Sequence, residues 1–197
     1  MEKNMTINKD TDLINITIEG EQYISMRYLS PWGPLNPRGI QGLLHLAQDI
    51  QEKAKHNSVW VEIGTHTGES AALFLGFRYI TTLHCVDVVK SPFSVKRLKE
   101  DIFKGRCVLH EKPSLSFAKE IPSADVVYID GAHNYEAVKS DIIAWYDKIP
   151  SGGVLAGHDY NPVGWPGVVK AVDEFLANNQ ELTLQKYVDS SWAIFKP

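Results

Sequence analysis

The sequence predicts a single α/β domain with a mostly parallel sheet and helices on both faces, and three observations predict it. Apolar, strand-like runs alternate with amphipathic, helix-like runs from "SVWVEIG" onward. The first of these strands runs through a glycine turn, "GTHTG", straight into the helical stretch "ESAALFLGFRYI". The last two runs, "LTLQKYVD" and "WAIFKP", alternate apolar and polar residues and face each other across Ser190–Ser191, which reads as a terminal antiparallel hairpin.

The elements follow in order. Residues 1–12 are polar and are expected to be loose, while "LINITIEG" has the alternation of a short strand or hairpin arm. "LSPWGPLNPRG" is a loop on its prolines and glycines. Residues 1–36 are therefore an N-terminal extension, and residues 37–197 one domain. A helix starts near Pro37 with Asn36 as its N-cap, and its apolar stripe is Ile40, Leu43, Leu44, Ala47 and Ile50. After the first strand–turn–helix come a strand in "TLHCVDVV", a charged helix in "SVKRLKEDIF", a short strand in "RCVLH" and a helical stretch around "SLSFAKEI". "ADVVYID" is a strand, "YEAVKSDIIAWYDKI" a helix with Asn134 available as its N-cap, "GVLAGHD" a strand and "GVVKAVDEFLANN" a helix. Trp145 shares helical spacing with Ile142 and Ile149 and belongs to the core.

Composition narrows the function classes. The chain has 197 residues, 44% of them hydrophobic, enough for one well-buried domain. A net charge of −4 without a basic block argues against nucleic-acid binding. No apolar run approaches the roughly 18 residues that span a bilayer, and the N-terminus lacks a signal-peptide core, so a cytoplasmic protein without a membrane partner is expected. Cys85 and Cys107 lie in apolar runs without CxxC spacing and are expected to be buried free thiols. Oligomeric state is open; a homodimer with the N-terminal segment between subunits is one arrangement the sequence allows.

The glycine turn is the first chemical signal. Gly64 and Gly68 bracket Thr65, His66 and Thr67 between strand and helix, where glycine permits unusual backbone angles and close ligand approach, and the helix N-terminus offers free N–H groups. The turn is not a full GxGxxG, because His66 stands where a middle glycine would be. Asp87 ends the next strand roughly 20 residues on, where an acid can accept hydrogen bonds from ribose hydroxyls. Read plainly, the turn could be only a tight turn and Asp87 a cap. Together they point to an adenosine-containing cofactor. Glu62, two residues before the turn, would repel a pyrophosphate and suits the positively charged amino acid end of S-adenosylmethionine, directly or through water.

The second half, "ADVVYIDGAHNYEAVKSDIIAWYDKIPSGGVLAGHDY", resembles class I S-adenosylmethionine-dependent methyltransferases, and most of all a small O-methyltransferase-like group with the pattern IDGxHxY…GGxxxxHDY. The resemblance implies a Rossmann-like, doubly wound sheet of order 3-2-1-4-5-7-6 with strand 7 antiparallel. It implies that Gly64 to Gly68 hold the methionine part of the cofactor, that Asp87 holds the ribose, and that Ser114 in "KPSLS" lies near the adenine. It also implies that Asp130 and Asp159, at the ends of neighbouring strands, flank one crevice beside the cofactor. Two carboxylates there would repel unless one is protonated or a cation sits between them. By the resemblance, Asp130 and Asp159 are ligand candidates for magnesium or manganese, Asp130 also borders the cofactor, and His133 is the general-base candidate. His158 stands where metal-dependent relatives carry Glu. As the third ligand candidate it leaves either a softer ion such as manganese or no ion, since imidazole is a poor magnesium ligand.

The expected reaction is methyl transfer from S-adenosylmethionine to a hydroxyl of a small molecule such as a sugar or secondary metabolite. Tyr28 and Trp32 before the first helix, and Tyr160 and Trp165 in "YNPVGWPG", either contact that acceptor or pin their loops. Two alternatives stay open: an NAD(P)- or nucleotide-sugar-dependent oxidoreductase, and a non-catalytic S-adenosylmethionine-binding protein.

Overall fold

The computed structural model describes residues 3–8, 13–18, 21–27 and 37–197, with side chains from residue 42 onward. Tyr28, Trp32 and Asn36 lie outside the described residues. Three strands, β1 (Lys3–Asn8), β2 (Leu13–Ile18) and β3 (Glu21–Arg27), form an antiparallel sheet in chain order. β2 falls where its alternation placed it. β1 corrects the expectation that residues 1–12 are loose: "KNMTIN" alternates its two isoleucine- and methionine-bearing positions with polar ones and pairs with β2 along its whole length.

The remaining chain builds the α/β domain. Helix α1 (Pro37–Lys53) leads into β4 (Val59–Ile63), α2 (Glu69–Leu75) and β5 (Thr82–Asp87). The charged helix divides at Leu98 into α3 (Pro92–Arg97) and α4 (Lys99–Phe103). Then follow β6 (Cys107–Glu111), α5 (Ser114–Glu120), β7 (Val126–Ile129), α6 (Tyr135–Tyr146), β8 (Val154–Gly157), α7 (Pro166–Ala177), β9 (Leu184–Lys186) and β10 (Trp192–Phe195).

The sheet order is β6-β5-β4-β7-β8-β10-β9, the expected 3-2-1-4-5-7-6. All pairings from β6 to β8 are parallel, and β10 is antiparallel to both β8 and β9. The chain runs outward from β4 through β5 to β6, then returns to the other side of β4 for β7 and β8. The order therefore reverses between β4 and β7, and crossovers on the two sides leave a crevice at the carboxyl ends of those strands.

Strand alternation sorts the side chains into two cores. Trp60, Tyr128, Val154 and Ala156 face Leu46, Ile50 and Phe74 of α1 and α2. Val61, Val127, Leu155 and Ile194 face Phe117, Ile142, Trp145 and Val172 of α5, α6 and α7. Cys85 and Cys107 are buried free thiols 3.7 Å apart on the first of these faces, as their apolar settings indicated. Among the described residues no helix is long and apolar enough to cross a membrane.

Trp60 anchors the α1/α2 face. It is fully buried, its ring centroid lies 4.8 Å from that of Phe74, and its indole N–H donates to the Asn57 carbonyl at 2.7 Å. Trp60→Ala should lower stability by about 3–5 kcal/mol, since it removes aromatic packing and leaves a cavity that the sheet cannot close. Urea unfolding should show the lower midpoint with an unchanged slope.

Candidate active site

A cavity of about 870 Å³ opens at the switch point. Three backbone bonds align its floor: Gly64 N–H donates to Val86 O at 2.8 Å, Asp130 N–H to Ile63 O at 2.8 Å, and His158 N–H to Ile129 O at 3.0 Å. The loops after β4, β5, β7 and β8 therefore leave the sheet side by side.

The glycine turn depends on its backbone. Gly64 has φ +88°, and a Cβ placed there would lie 2.1 Å from the Asp130 carbonyl oxygen. Gly68, at φ +77°, caps α2 without a side-chain bond. Between them His66 takes φ +44°, a conformation unusual for a side chain with a Cβ. The turn is held from outside by Arg97, a residue sequence reasoning did not single out. Its guanidinium donates to the Thr67 carbonyl at 2.6 Å and lies 3.5 Å from Glu69.

Gly64, Thr65, His66, Asp87, Ser114, Asp130 and His133 all line the cavity. Asp87 already binds the protein: Oδ2 accepts from His66 N–H at 2.8 Å and Oδ1 from Val89 N–H at 3.1 Å, so it ties the two loops together. Each carboxylate oxygen keeps a further lone pair for a ligand hydroxyl. Ser114 is engaged as well, donating to Asp141 Oδ1 at 2.6 Å and accepting from the Trp145 indole at 2.7 Å.

Glu62 departs from the position its sequence neighbourhood suggested. It shares strand parity with Trp60, so it points toward α2 and is fully buried beneath the turn, off the cavity wall. Its Oε1 accepts from Ser70 Oγ at 2.5 Å, and Ser70 itself borders the cavity. Burial pushes its carboxyl up to about 7. The Ser70 and Thr65 hydroxyls pull it partly back, and the Asp130 charge adds to the rise.

Asp130 and His133 border the cavity, and His158 and Asp159 lie beside them off its lining. His133 Nε2 lies 2.8 Å from Asp159 Oδ2 and 3.6 Å from Asp130 Oδ1. His158 Nδ1 lies 3.1 Å from Asp159 Oδ1. Among the described residues, the group able to converge on one ion is Asp130, His133 and Asp159, whose ligand atoms are within 4.8 Å of one another. This revises the sequence reading: His158 buttresses Asp159 from behind, and His133 takes the place assigned to His158. Burial raises the Asp130 carboxyl, an effect the His133 bond opposes. The bond to Asp130 raises His133, against burial. For His158 burial acts downward but is outweighed by the Asp159 bond and the charges of Asp130, Asp159 and Asp189, and the ring is pushed up to about 9.

Asp159 has φ +61°, a strained backbone for a residue with a Cβ, at the turn that aims its carboxylate at His133. The loop beyond it divides the two aromatic candidates. Tyr160 donates to Asp173 at 2.6 Å and pins the loop to α7. Trp165, 42% exposed, lies over the imidazole of His133 with 4.3 Å between ring centroids.

Residues 61–160 match the family described as "Methyltransferase domain". The chain belongs to this methyltransferase family. An uncharacterized protein of Acanthamoeba polyphaga mimivirus is 28% identical over 138 residues, covering 64% of this chain and 62% of that protein. Among solved structures, a TDP-rhamnose 3'-O-methyltransferase of calicheamicin biosynthesis superimposes with a TM-score of 0.63 at 19% identity, covering 82% of this chain and 81% of that one. The mycinamycin-pathway methyltransferase MycE, in complex with Mg, S-adenosylhomocysteine and mycinamycin VI, gives a TM-score of 0.61 at 14% identity, covering 78% of this methyltransferase and 48% of MycE. The chain thus spans less than two thirds of the length of the mimivirus protein and about half of MycE. Membership sets aside the oxidoreductase alternative.

The buried acid beneath the turn gives the methyltransferase a specific pH response. The folded state binds the Glu62 proton more tightly than the unfolded chain does, so stability should fall as pH rises from about 4.5 through about 7 and level off above. Relative to wild type, Glu62→Gln should remove on the order of 3 kcal/mol of that fall. Urea midpoints at pH 5 and pH 8 in both proteins measure the difference.

Proposed function

We propose that this methyltransferase uses S-adenosylmethionine to methylate a hydroxyl of a small molecule, a sugar or a glycosylated or otherwise hydroxylated secondary metabolite. The observation that carries this reading is the imidazole of His133 at the cavity's edge, held 2.8 Å from Asp159 and 3.6 Å from Asp130. A sulfonium methyl is already activated, but an alcohol is a poor nucleophile until its proton has somewhere to go. His133 is the acceptor of that proton. The hydroxyl oxygen forms a bond to the methyl carbon as the sulfur–carbon bond breaks, the sulfur keeps the electron pair, and S-adenosylhomocysteine leaves. Asp159 and Asp130 orient the ring and stabilise the imidazolium that forms. Gly64 to Gly68, with Thr65 and His66, hold the methionine end, Asp87 the ribose, and Glu62 supports the turn from below.

The donor set of Asp130, Asp159 and the His133 imidazole would fit a divalent ion, with nitrogen among the ligands favouring manganese over magnesium; in that version His133 would be a ligand and not the proton acceptor. Such an ion would lower the pKa of a hydroxyl bound to it. The choice of a sugar-like acceptor draws on the exposed Trp165 face beside His133. It also draws on the fold likeness to a TDP-rhamnose 3'-O-methyltransferase and to MycE in complex with mycinamycin VI.

The test is turnover, read as S-adenosylhomocysteine release over a panel of hydroxylated sugars and glycosides. His133→Ala should cost about 10²–10⁴ in kcat with cofactor binding retained. In the wild type kcat should climb with pH as the imidazolium loses its proton, with a midpoint above the ordinary histidine value because Asp130 raises it. That limb should vanish in the variant. If an ion is used, a chelator should abolish the rate, manganese should restore it, and Asp130→Asn should lose rate and ion dependence together. Cofactor binding without turnover on any hydroxyl acceptor would instead favour a non-catalytic binding protein.

A further inference from the structure

Asp141 is the one carboxylate on the buried stripe of α6, between Val138, Ile142 and Trp145, and only 7% of it is exposed. A charge in such a place is costly unless it is bonded. One of its oxygens, Oδ1, accepts from Ser114 at 2.6 Å, and among the described residues no ion pair reaches it. Burial raises its carboxyl, and the Ser114 bond offsets this only in part. The surface left to Asp141 belongs to the cavity wall, next to Ser114 and Ser140.

Its position within the cavity follows from the sheet. Along the carboxyl edge, Ser114 follows β6, Asp87 follows β5, the glycine turn follows β4 and Asp130 follows β7. Asp141, bonded to Ser114, therefore stands at the β6 end, opposite the His133 cluster. This placement rests on the proposed S-adenosylmethionine reading. With the methionine end on the turn and the ribose at Asp87, the purine falls at the β6 end. The ring nitrogens of adenine are acceptors and repel a carboxylate. Its 6-amino group is the only donor on that edge. Ser114 cannot read a ring nitrogen, because its single proton is given to Asp141.

We propose that Asp141 recognises the 6-amino group of the cofactor's adenine, with Ser114 and Trp145 fixing its carboxylate for that contact. The test titrates the full chain calorimetrically with S-adenosylhomocysteine and with its 6-desamino counterpart, which carries hydrogen in place of the amine. The wild type should bind the desamino ligand about tenfold or more weakly, as expected for a lost hydrogen bond to a charged acceptor. In Asp141→Asn, Ser114 holds the amide oxygen and the amide N–H₂ faces the ligand. Binding of S-adenosylhomocysteine should fall about tenfold while the desamino ligand changes less than about twofold, so the discrimination collapses. Equal affinities in the wild type, or equal weakening of both ligands in the variant, would overturn the assignment and leave Asp141 a purely structural residue. Should Asp141→Asn fail to fold, Asp141→Ala decides in its place: loss of the preference for S-adenosylhomocysteine over the desamino ligand supports the assignment, and a preference retained without the carboxylate overturns it. No binding of S-adenosylhomocysteine to the wild type would instead strike the cofactor reading on which this assignment stands.

Discussion

The site depends on one close approach between two backbones. The Asp130 carbonyl lies where a Cβ on residue 64 would be, 2.1 Å away, so only glycine lets β4 and β7 end side by side. Gly64 then turns through φ +88°, the chain rises over the ends of β5 and β7, and α2 begins with its free N–H groups toward the cavity. The same approach sets Asp130 beside the turn, so one glycine couples the glycine-turn half of the crevice to the half that holds His133. Arg97 and Asp87 reinforce the turn by bonding to its backbone, at Thr67 O and His66 N.

The strand–helix order and the antiparallel end were legible because each rests on local pattern: periodicity, glycine punctuation and the alternation of the last two runs; the switch point came with the strand order that the family resemblance implied. The strand over residues 3–8 escaped because a polar composition hid an alternating pattern. At the site, side chains that line the cavity were found where a motif marks the end of a strand, as at Asp87 and Asp130. Direction was harder. Glu62 shares the parity of Trp60, and that signal alone would have placed it under α2. Asp141 interrupts the apolar stripe of α6, a polar residue at a buried position, which was the available cue. The exchange of His133 for His158 in the acidic cluster was beyond local pattern. It depends on the left-handed turn at Asp159, which aims one carboxylate oxygen at each ring.

The acidic centre also shows how a small region keeps several ionisable groups together without a large electrostatic penalty. Asp130 and Asp159 face His133, His158 stands behind Asp159, and Asp189 adds a further negative charge toward His158. Asp189 meanwhile accepts from Leu43 N–H at 2.9 Å and from Ser191 N–H at 2.9 Å, joining α1 to the turn that precedes β10. The Ser190 carbonyl accepts from Tyr160 N–H, and the Trp192 indole donates to His158 O. The loop bearing Asp159 is thus braced by the β9–β10 turn and not by the parallel strands alone.

That bracing carries a consequence for how the chain acquires its structure. β10 is the last strand in sequence yet an interior one, pairing β8 on one side and β9 on the other, and β9 meets the sheet only through it. During synthesis β8 waits with a bare, apolar edge until residues 192–195 emerge, so the parallel core can assemble before the strand that seals it exists. The interval is a window for mispairing with other chains, and a folding assistant that shields one strand edge would matter more to this protein than one that shields its helices.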